Sequence, residues 1–589
     1  MLLTKSYSLE ERKALVSVCT GLERPDLILS GGSIVDVATG EVREVDVVIK
    51  GSRIAYVGNL RDLNISHLGS VIDVKGTFIT PGFIDPHAHV ESTMLTPSAY
   101  ASLLIPQGTT GAIIDPHEIV NVSGFEGLTF FLKDADSTPF KFYVQAPSCV
   151  PSAPGLETSG HIVSSSDIEK LMDRKDIWGL GELMDYKKVI EGDVESLMKI
   201  KHVYERGGVI DGHSPSLKGM MLQAYISSGI MTDHTSRSKD EVLERLRCGL
   251  NVMVQNRPDK DLLRDVIETL KCIDTRRVLL CTDDIEPDEV EDRGHLVSLV
   301  REAVDLGLDP VKAVQMVTLN VAEAYRFDSE LGMIAPGRYA DLIIFNDLKR
   351  FDVDKVIMNG RLVASKGKLL IEIPKFDFDR FKNTIKVKAG IKPDDLVIKV
   401  ELERARALVR VVTVNGELRE VELSVSNYKV MSRPMDDIVM LAVVERHGKS
   451  GNIGKGFIQG TGLREGAIVT SVSHDVHNLT SIGTSEYDMY LGIKEVERMG
   501  GGIVVVMNGK VLASVELPYF GLLTDDLGVC SKVRELRKVL LNMGVKIPLR
   551  RLMFLSLPVG LGNFKITDKG LVDYKRGIVL PTIISLSAQ

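Results

Sequence analysis

Pro81-Gly82-Phe83-Ile84-Asp85-Pro86-His87-Ala88-His89-Val90-Glu91-Ser92 is an apolar run that ends in two histidines one residue apart. On an extended strand, residues i and i+2 point to the same face. His87 and His89 can therefore aim both imidazoles at one point, as a metal ion requires. Taken alone, the pair reads equally well as two strand-end histidines that hydrogen-bond to neighbours. The decision rests on whether further ligand types stand at the ends of later strands.

From this stretch to about residue 326 the pattern alternates between strand and helix. Eight apolar strand candidates fall at 82–85, 110–115, 142–146, 177–181, 208–211, 230–233, 251–255 and 278–282. The segments between most of them carry helical marks. SSDIEKLMDR has Ser166 and Glu169 at capping-box spacing, and SKDEVLERLRCG has Ser238 and Glu241 likewise. DLLRDVIETLKC and GHLVSLVREAVDLG place apolar residues at i, i+3 and i+4. Eight such units predict an α/β chain folded as a (β/α)8 TIM-like barrel. An open doubly wound sheet is the competitor, but it ordinarily needs fewer strands, and no Gly-x-Gly-x-x-Gly follows the first strand.

The flanks read differently. Residues 8–18 suggest a short helix capped by Ser8, with Glu10 and Glu11 in its first turn. From 26 to 74 the period falls to two, and Gly-rich turns divide the pieces into a small antiparallel β unit. Beyond the barrel, PGRYADLIIFNDLKRFDVDKVIMNGRLVASKGKLL returns to hairpin signals, including Asn359-Gly360. It is expected to pair with the N-terminal unit, because closing a barrel brings its two ends together. The predicted organisation is a helix and β unit at 1–80, a barrel at 81–329, the rest of the small β domain at 330–380, and an additional C-terminal α/β domain at 381–589. Met358-Asn359-Gly360-Arg361 is echoed by Met507-Asn508-Gly509-Lys510, which reads as a shared hairpin solution and not as a duplicated domain.

Composition removes other classes. A chain of 589 residues needs more than one core. A net charge of −8 argues against nucleic acid or an anionic membrane as partner. No run approaches the roughly 18 apolar residues of a membrane span, and the N-terminal stretch lacks a signal-peptide core. The six cysteines contain no Cys-x-x-Cys and mostly lie in apolar segments, which suggests buried thiols in a reducing cytoplasm.

In a barrel, functional groups sit at the C-terminal ends of strands. Read in order, those ends are His87 and His89, then Asp115-Pro116-His117-Glu118, Gly181-Glu182, Asp211-Gly212-His213, Asp233-His234 and Thr282-Asp283-Asp284. Each has a plain structural reading as a loop hydrogen bond or a helix-start carboxylate. Four histidines and two carboxylates at equivalent positions, in a chain with only twelve histidines, point to a metal centre. Six donors exceed what one tetrahedral ion uses. They suit two divalent ions sharing a carboxylate and a water-derived hydroxide. Glu182 is the expected bridge, Asp283 the expected proton acceptor with Asp284 as its close rival, and His234 either a ligand or a substrate polariser. Glu91, Asp115, His117 and Glu118 form an outer group, equally suited to substrate contact and to supporting the ligands. Ser473-His474-Asp475-Val476-His477-Asn478 is a further histidine-bearing loop, for which exposure, a ligand role or a place over the barrel mouth all stay open.

PGFIDPHAHVEST, the two later histidines and the Thr-Asp-Asp triplet resemble the amidohydrolase superfamily. Many of its members carry a carboxylated lysine on strand four, where this chain has Gly179-Leu180-Gly181-Glu182-Leu183-Met184-Asp185. Lys187 and Lys188 lie too far along to replace it. That glutamate, with DPHEIVNVSG at 115–124, DGHSP at 211–215, SGIMTDHTS at 228–236 and the tail GGIVVVMNGKVLASVELPYFGLLTDD, is similar to the adenine deaminase family. The resemblance implies hydrolysis of adenine to hypoxanthine and ammonia at a binuclear centre. It implies His87, His89, Glu182, His213, His234 and Asp283 as ligands, with manganese or iron as the metal and zinc also admissible. A cytoplasmic homo-oligomer is expected, acting on a small purine base. The competitors are another C–N hydrolase of the superfamily, such as a cyclic amidase, and a non-catalytic scaffold. The strand-four glutamate disfavours the first, and the complete ligand set disfavours the second.

Overall fold

All eight expected barrel strands form. The computed structural model describes residues 7–63, 69–255, 261–559 and 562–588. The strands are β1 (Phe83–Ala88), β2 (Thr109–Ile114), β3 (Lys141–Ala146), β4 (Ile177–Leu183), β5 (Val209–Gly212), β6 (Thr232–Asp233), β7 (Asn251–Val254) and β8 (Val278–Leu280). Every residue of β1 and β2 is buried, as expected of parallel strands covered on both faces. β1 to β5 make one five-stranded parallel sheet and β6 to β8 a three-stranded one. The two arcs meet at sparse seams. Met231 N donates to Ile210 O at 3.0 Å between β5 and β6, and Asp283 N donates to His87 O at 3.1 Å beyond β8. The ladders thus close the ring only in part.

Ser238 caps the helix Lys239–Arg247 by accepting from Glu241 N, as its spacing suggests. The earlier expectation of a cap at Ser166 is corrected. The helix Ser165–Leu171 starts from Ser164, whose side chain accepts from Asp167 N while Asp167 reaches back. Three consecutive serines offer three starts, and the first is followed at the right interval by a carboxylate short enough to close the box.

The two flanks do share a sheet. Phe78–Pro81 lies antiparallel to Leu342–Phe345, with Ile79 opposite Ile344, inside a nine-stranded assembly. The N-terminal unit is mixed, not purely antiparallel as its turns suggested. Leu27–Asp36 runs antiparallel to Glu41–Lys50 but parallel to Ser70–Asp73 and Phe78–Pro81. Three antiparallel legs end at Gly58 on one edge of the sheet, and the chain then crosses back to lie beside Leu27–Asp36 in its interior. The Asn359-Gly360 and Asn508-Gly509 turns both have positive φ at their two central residues, which a type I′ hairpin turn demands and these residue types tolerate.

A ten-stranded sheet, mainly antiparallel, occupies the C-terminal part. Its strand Ile438–Val444 is buried along its whole length because each face meets a different partner. Val439, Leu441 and Val443 join the core that is continuous with the barrel. Ile438, Met440, Ala442 and Val444 face a second core with Met489, Ile493 and Val496 of the helix Glu486–Met499. Alternation of period two assigns each side chain to one core or the other. At about 1.5–3 kcal/mol per fully buried aliphatic side chain, this shared core binds the C-terminal sheet firmly to the barrel.

None of the six cysteines is in a disulfide, and only Cys149, Cys281 and Cys530 are buried. Cys19 and Cys272 are exposed, at helix ends where the apolar stripe runs out, so the expectation of mostly buried thiols holds for half of them. Among the described residues, no helix is long and apolar enough to cross a membrane.

Candidate metal centre

His87 lies on β1, and His89 follows the strand directly. Glu182 lies on β4, while His213, His234 and Asp283 stand one to three residues beyond β5, β6 and β8. The barrel brings all six together. Asp283 Oδ1 is 3.7 Å from His87 Nε2 and 3.5 Å from His89 Nε2. Glu182 Oε1 is 3.4 Å from His89 Nε2, and its Oε2 is 3.3 Å from His234 Nε2 and meets His213 Nδ1. One carboxylate thus offers an oxygen to each histidine pair, the disposition a shared ligand needs. His87 and His234 stack at 4.1 Å. Three-residue sets drawn from these side chains hold ligand atoms within 4.8 Å of one another.

These donors fit divalent ions. His87 Nε2 is buried without a hydrogen-bond partner. Four imidazoles and two carboxylates form a nitrogen and oxygen set suited to first-row transition metals. Burial pushes the Glu182 carboxyl up, but the imidazoles of His213 and His234 outweigh it and hold it well below its usual range. Burial pushes His89 down, and Asp283 and Glu182 more than reverse that. Two such carboxylates amid four imidazoles form a charge arrangement that a cation would stabilise.

The ligands are braced from behind. His89 Nδ1 bonds Asp115 O at 3.1 Å, which fixes its ring. Glu182 N donates to Asp115 Oδ2 at 2.9 Å, and a Cβ at Gly181 would lie 2.2 Å from that same oxygen. Gly181 is therefore what lets the strand-two carboxylate approach β4. Asp233 ties the loops of His213 and His234 together: it accepts from Ser214 N at 3.1 Å, Thr235 N at 2.9 Å and Arg245 Nε at 3.0 Å. Gln255 Nε2 holds Asp283 Oδ2 at 2.9 Å. Asp283 itself has φ +56°, a left-handed turn that Asp tolerates better than most residues.

A cavity of about 590 Å³ opens above this cluster. His89, Glu182, His213, His234, Asp283 and Asp284 line its floor, and residues beyond 413 line the facing wall, among them Asp475, Phe554 and Asn563. None of the outer group of four lines this space, whereas Asp284, the rival of Asp283, does, and its Oδ1 accepts from Ser92. Asp115 braces Glu182. His117 Nε2 meets Asp475 Oδ1 at 3.2 Å. Glu118 pairs with His474, and Glu91 accepts from Ile119 N at 3.3 Å. Each of these four meets a neighbour, and each also keeps a buried polar atom with no hydrogen-bond partner. Burial and the nearby Glu118 push Glu91 up to about 8. Burial lowers His474, but its pairing with Glu118 lifts it to about 9. His474 and His477 are fully buried against the barrel and do not stand in an exposed loop. Lys187 bonds Lys575 O and Lys188 pairs with Asp185, well away from the ligands. The roles of Gln255 and Asp475 escaped the sequence reading: the first follows β7 as a neutral amide, and the second finds its partner 358 positions away.

Imidazoles and carboxylates converging at the C-terminal rim of a parallel barrel define an amidohydrolase, a hydrolase class built around divalent metal. Residues 78–363 match the amidohydrolase family, and residues 413–577 match the adenine deaminase C-terminal domain. The chain is 36% identical to an adenine deaminase of Moorella thermoacetica, covering 97% of this chain and 98% of that protein. It is 37% identical to adenine deaminase 2 of Carboxydothermus hydrogenoformans, covering 97% and 99%, and 34% identical to an adenine deaminase of Staphylothermus marinus, covering 98% of each. Among solved structures, the β-aspartyl dipeptidase of Fervidobacterium islandicum AW-1 aligns with a TM-score of 0.45 at 17% identity, over 60% of this chain and 98% of that one. The chain belongs to the adenine deaminase family and is a hydrolase.

Proposed function

We propose that this enzyme hydrolyses adenine to hypoxanthine and ammonia at a binuclear centre. The observation that supports this most is the joint occurrence of full-length similarity to adenine deaminases and a six-donor cluster with glutamate on strand four. His87, His89 and Asp283 would hold one ion, His213 and His234 the other, with Glu182 shared. Manganese or iron is the proposed metal, with zinc as the alternative. Such ions would supply Lewis acidity and lower the pKa of a water to near neutrality.

The side chains then have distinct tasks. Asp283, held at Oδ2 by Gln255, takes the proton of the attacking water through its other oxygen. Water adds to C6 of the purine, and the same carboxyl returns the proton as the C6–N bond breaks, so adenine and water become hypoxanthine and ammonia. His234, packed flat on His87, is fixed by that stacking with its Nε2 towards Glu182, as its ligand task requires. The cavity walls exclude bulk water and hold the base for attack. The proposed site of action is the cytoplasm.

The test is the loss of adenine absorbance, with hypoxanthine identified as product, by enzyme supplied with manganese. Absence of turnover with manganese, ferrous iron and zinc alike would overturn the reading.

A further inference from the structure

The barrel supplies the reactive groups, but the wall facing them across the cavity comes from the C-terminal part of the chain. Asp475 is the acidic residue of that wall nearest the ligands. Its Oδ1 meets His117 Nε2 at 3.2 Å, and the His117 ring lies 4.8 Å from that of His89. Its second oxygen, Oδ2, is buried and has no hydrogen-bond partner, while the residue lines the cavity. The loop is fixed from below, because Asn121 Nδ2 donates to Asp475 O at 2.6 Å. Phe554, which packs 5.0 Å from the His474 ring, gives the same wall an aromatic face.

A carboxylate accepts hydrogen bonds only, and a buried one with an unused oxygen selects for a donor. A free purine base carries one such donor on its five-membered ring, and a base substituted there has lost it. We propose that Asp475 is a specificity-determining residue that accepts the ring N–H of the base, with Phe554 against the ring face, so that the C-terminal part of the chain selects free bases over N-substituted ones. This rests on the adenine reading given above.

Sites built to bond a polar group reject analogues lacking it by orders of magnitude. The wild-type holoenzyme should therefore turn over adenine with a kcat/KM about 10³-fold or more above that for 7-methyladenine or 9-methyladenine, whichever blocks the bonded nitrogen. Asp475→Asn presents a donor in place of an acceptor. It should raise KM for adenine about 100-fold with a smaller change in kcat, leave kcat/KM for the methylated base near its wild-type value, and keep the metal content of the wild type. Equal turnover of all three bases by the wild type would overturn the inference without recourse to any variant. So would a variant that loses the same factor on every base, since that is the mark of a role exercised only through His117. If the wild type does not act on adenine at all, it is the functional reading that fails, and this inference goes with it.

Discussion

Two clusters of histidines and carboxylates adjoin at the barrel mouth, where the rings of His89 and His117 lie 4.8 Å apart. The first gathers His87, His89, His213 and His234 around Glu182 and Asp283; the second sets His117, His474 and His477 against Asp475 and Glu118. In the second, the acids are matched one to one with imidazoles: Glu118 with His474, Asp475 with His117. In the first, three imidazoles crowd a single carboxylate: His89, His213 and His234 all lie within 3.4 Å of Glu182. The residue types are the same, and the clusters differ in how many imidazoles converge on one carboxylate, three on Glu182 against one each within hydrogen-bond reach of Glu118 and Asp475. Composition alone does not distinguish them.

That contrast can be broken at several points. Asp283→Asn should cost the most, about 10³-fold or more in kcat, with bound metal measured by emission spectroscopy close to the wild-type level. Near-normal turnover would remove Asp283 from proton transfer. Glu182→Ala should empty the centre, bringing the metal-to-protein ratio towards zero, while His474→Ala should leave that ratio unchanged and instead destabilise the fold by about 3–5 kcal/mol in urea, because it strands a buried carboxylate. A loss of metal in His474→Ala would erase the distinction between the clusters. Gly181→Ala should fall between the two, costing about 1–3 kcal/mol and part of the metal, since its methyl would strike the Asp115 carboxylate that braces Glu182.

The smallest effect lies at Lys565, in the strand Phe564–Thr567 behind the wall residue Phe564. Burial, with Arg551 nearby, pushes the Lys565 amine down to about 7. The unfolded chain keeps that proton until about 10.4. Between those values the unfolded state binds the proton that the folded state has shed, so stability rises with pH across that window. Lys565→Met should therefore raise Tm by about 2–4 °C at pH 7 and below, with the gain shrinking as pH climbs towards 10. A gain that grows with pH would mean that the amine is charged in the fold.

The strands and the ligands were legible in the sequence for one reason. A barrel repeats a simple local grammar, an apolar run followed by a polar residue at its end, and each of β1, β4, β5, β6 and β8 states its candidate ligand within a few positions of its last apolar residue. What was not legible depends on distance. The pairing of His117 with Asp475 joins residues 358 apart, and no local pattern announces it. For Glu118 the choice between substrate contact and ligand support stayed open because its partner His474 was equally remote. The parallel pairings of Leu27–Asp36 were missed because turns reveal where a chain reverses but not where it crosses back. The helix cap at Ser164 was displaced by two residues because neighbouring serines are locally equivalent.

The loop that covers the cavity has a consequence for the order in which the molecule comes into being. Asp475 emerges from the ribosome about 195 residues after Leu280, which at roughly 5–20 residues per second is a delay of about 10–40 s. Throughout that interval a nascent chain can own a nearly finished ring of ligands under an open roof. Any scavenging of metal by the newborn protein would take place through that temporary opening, before translation closes it.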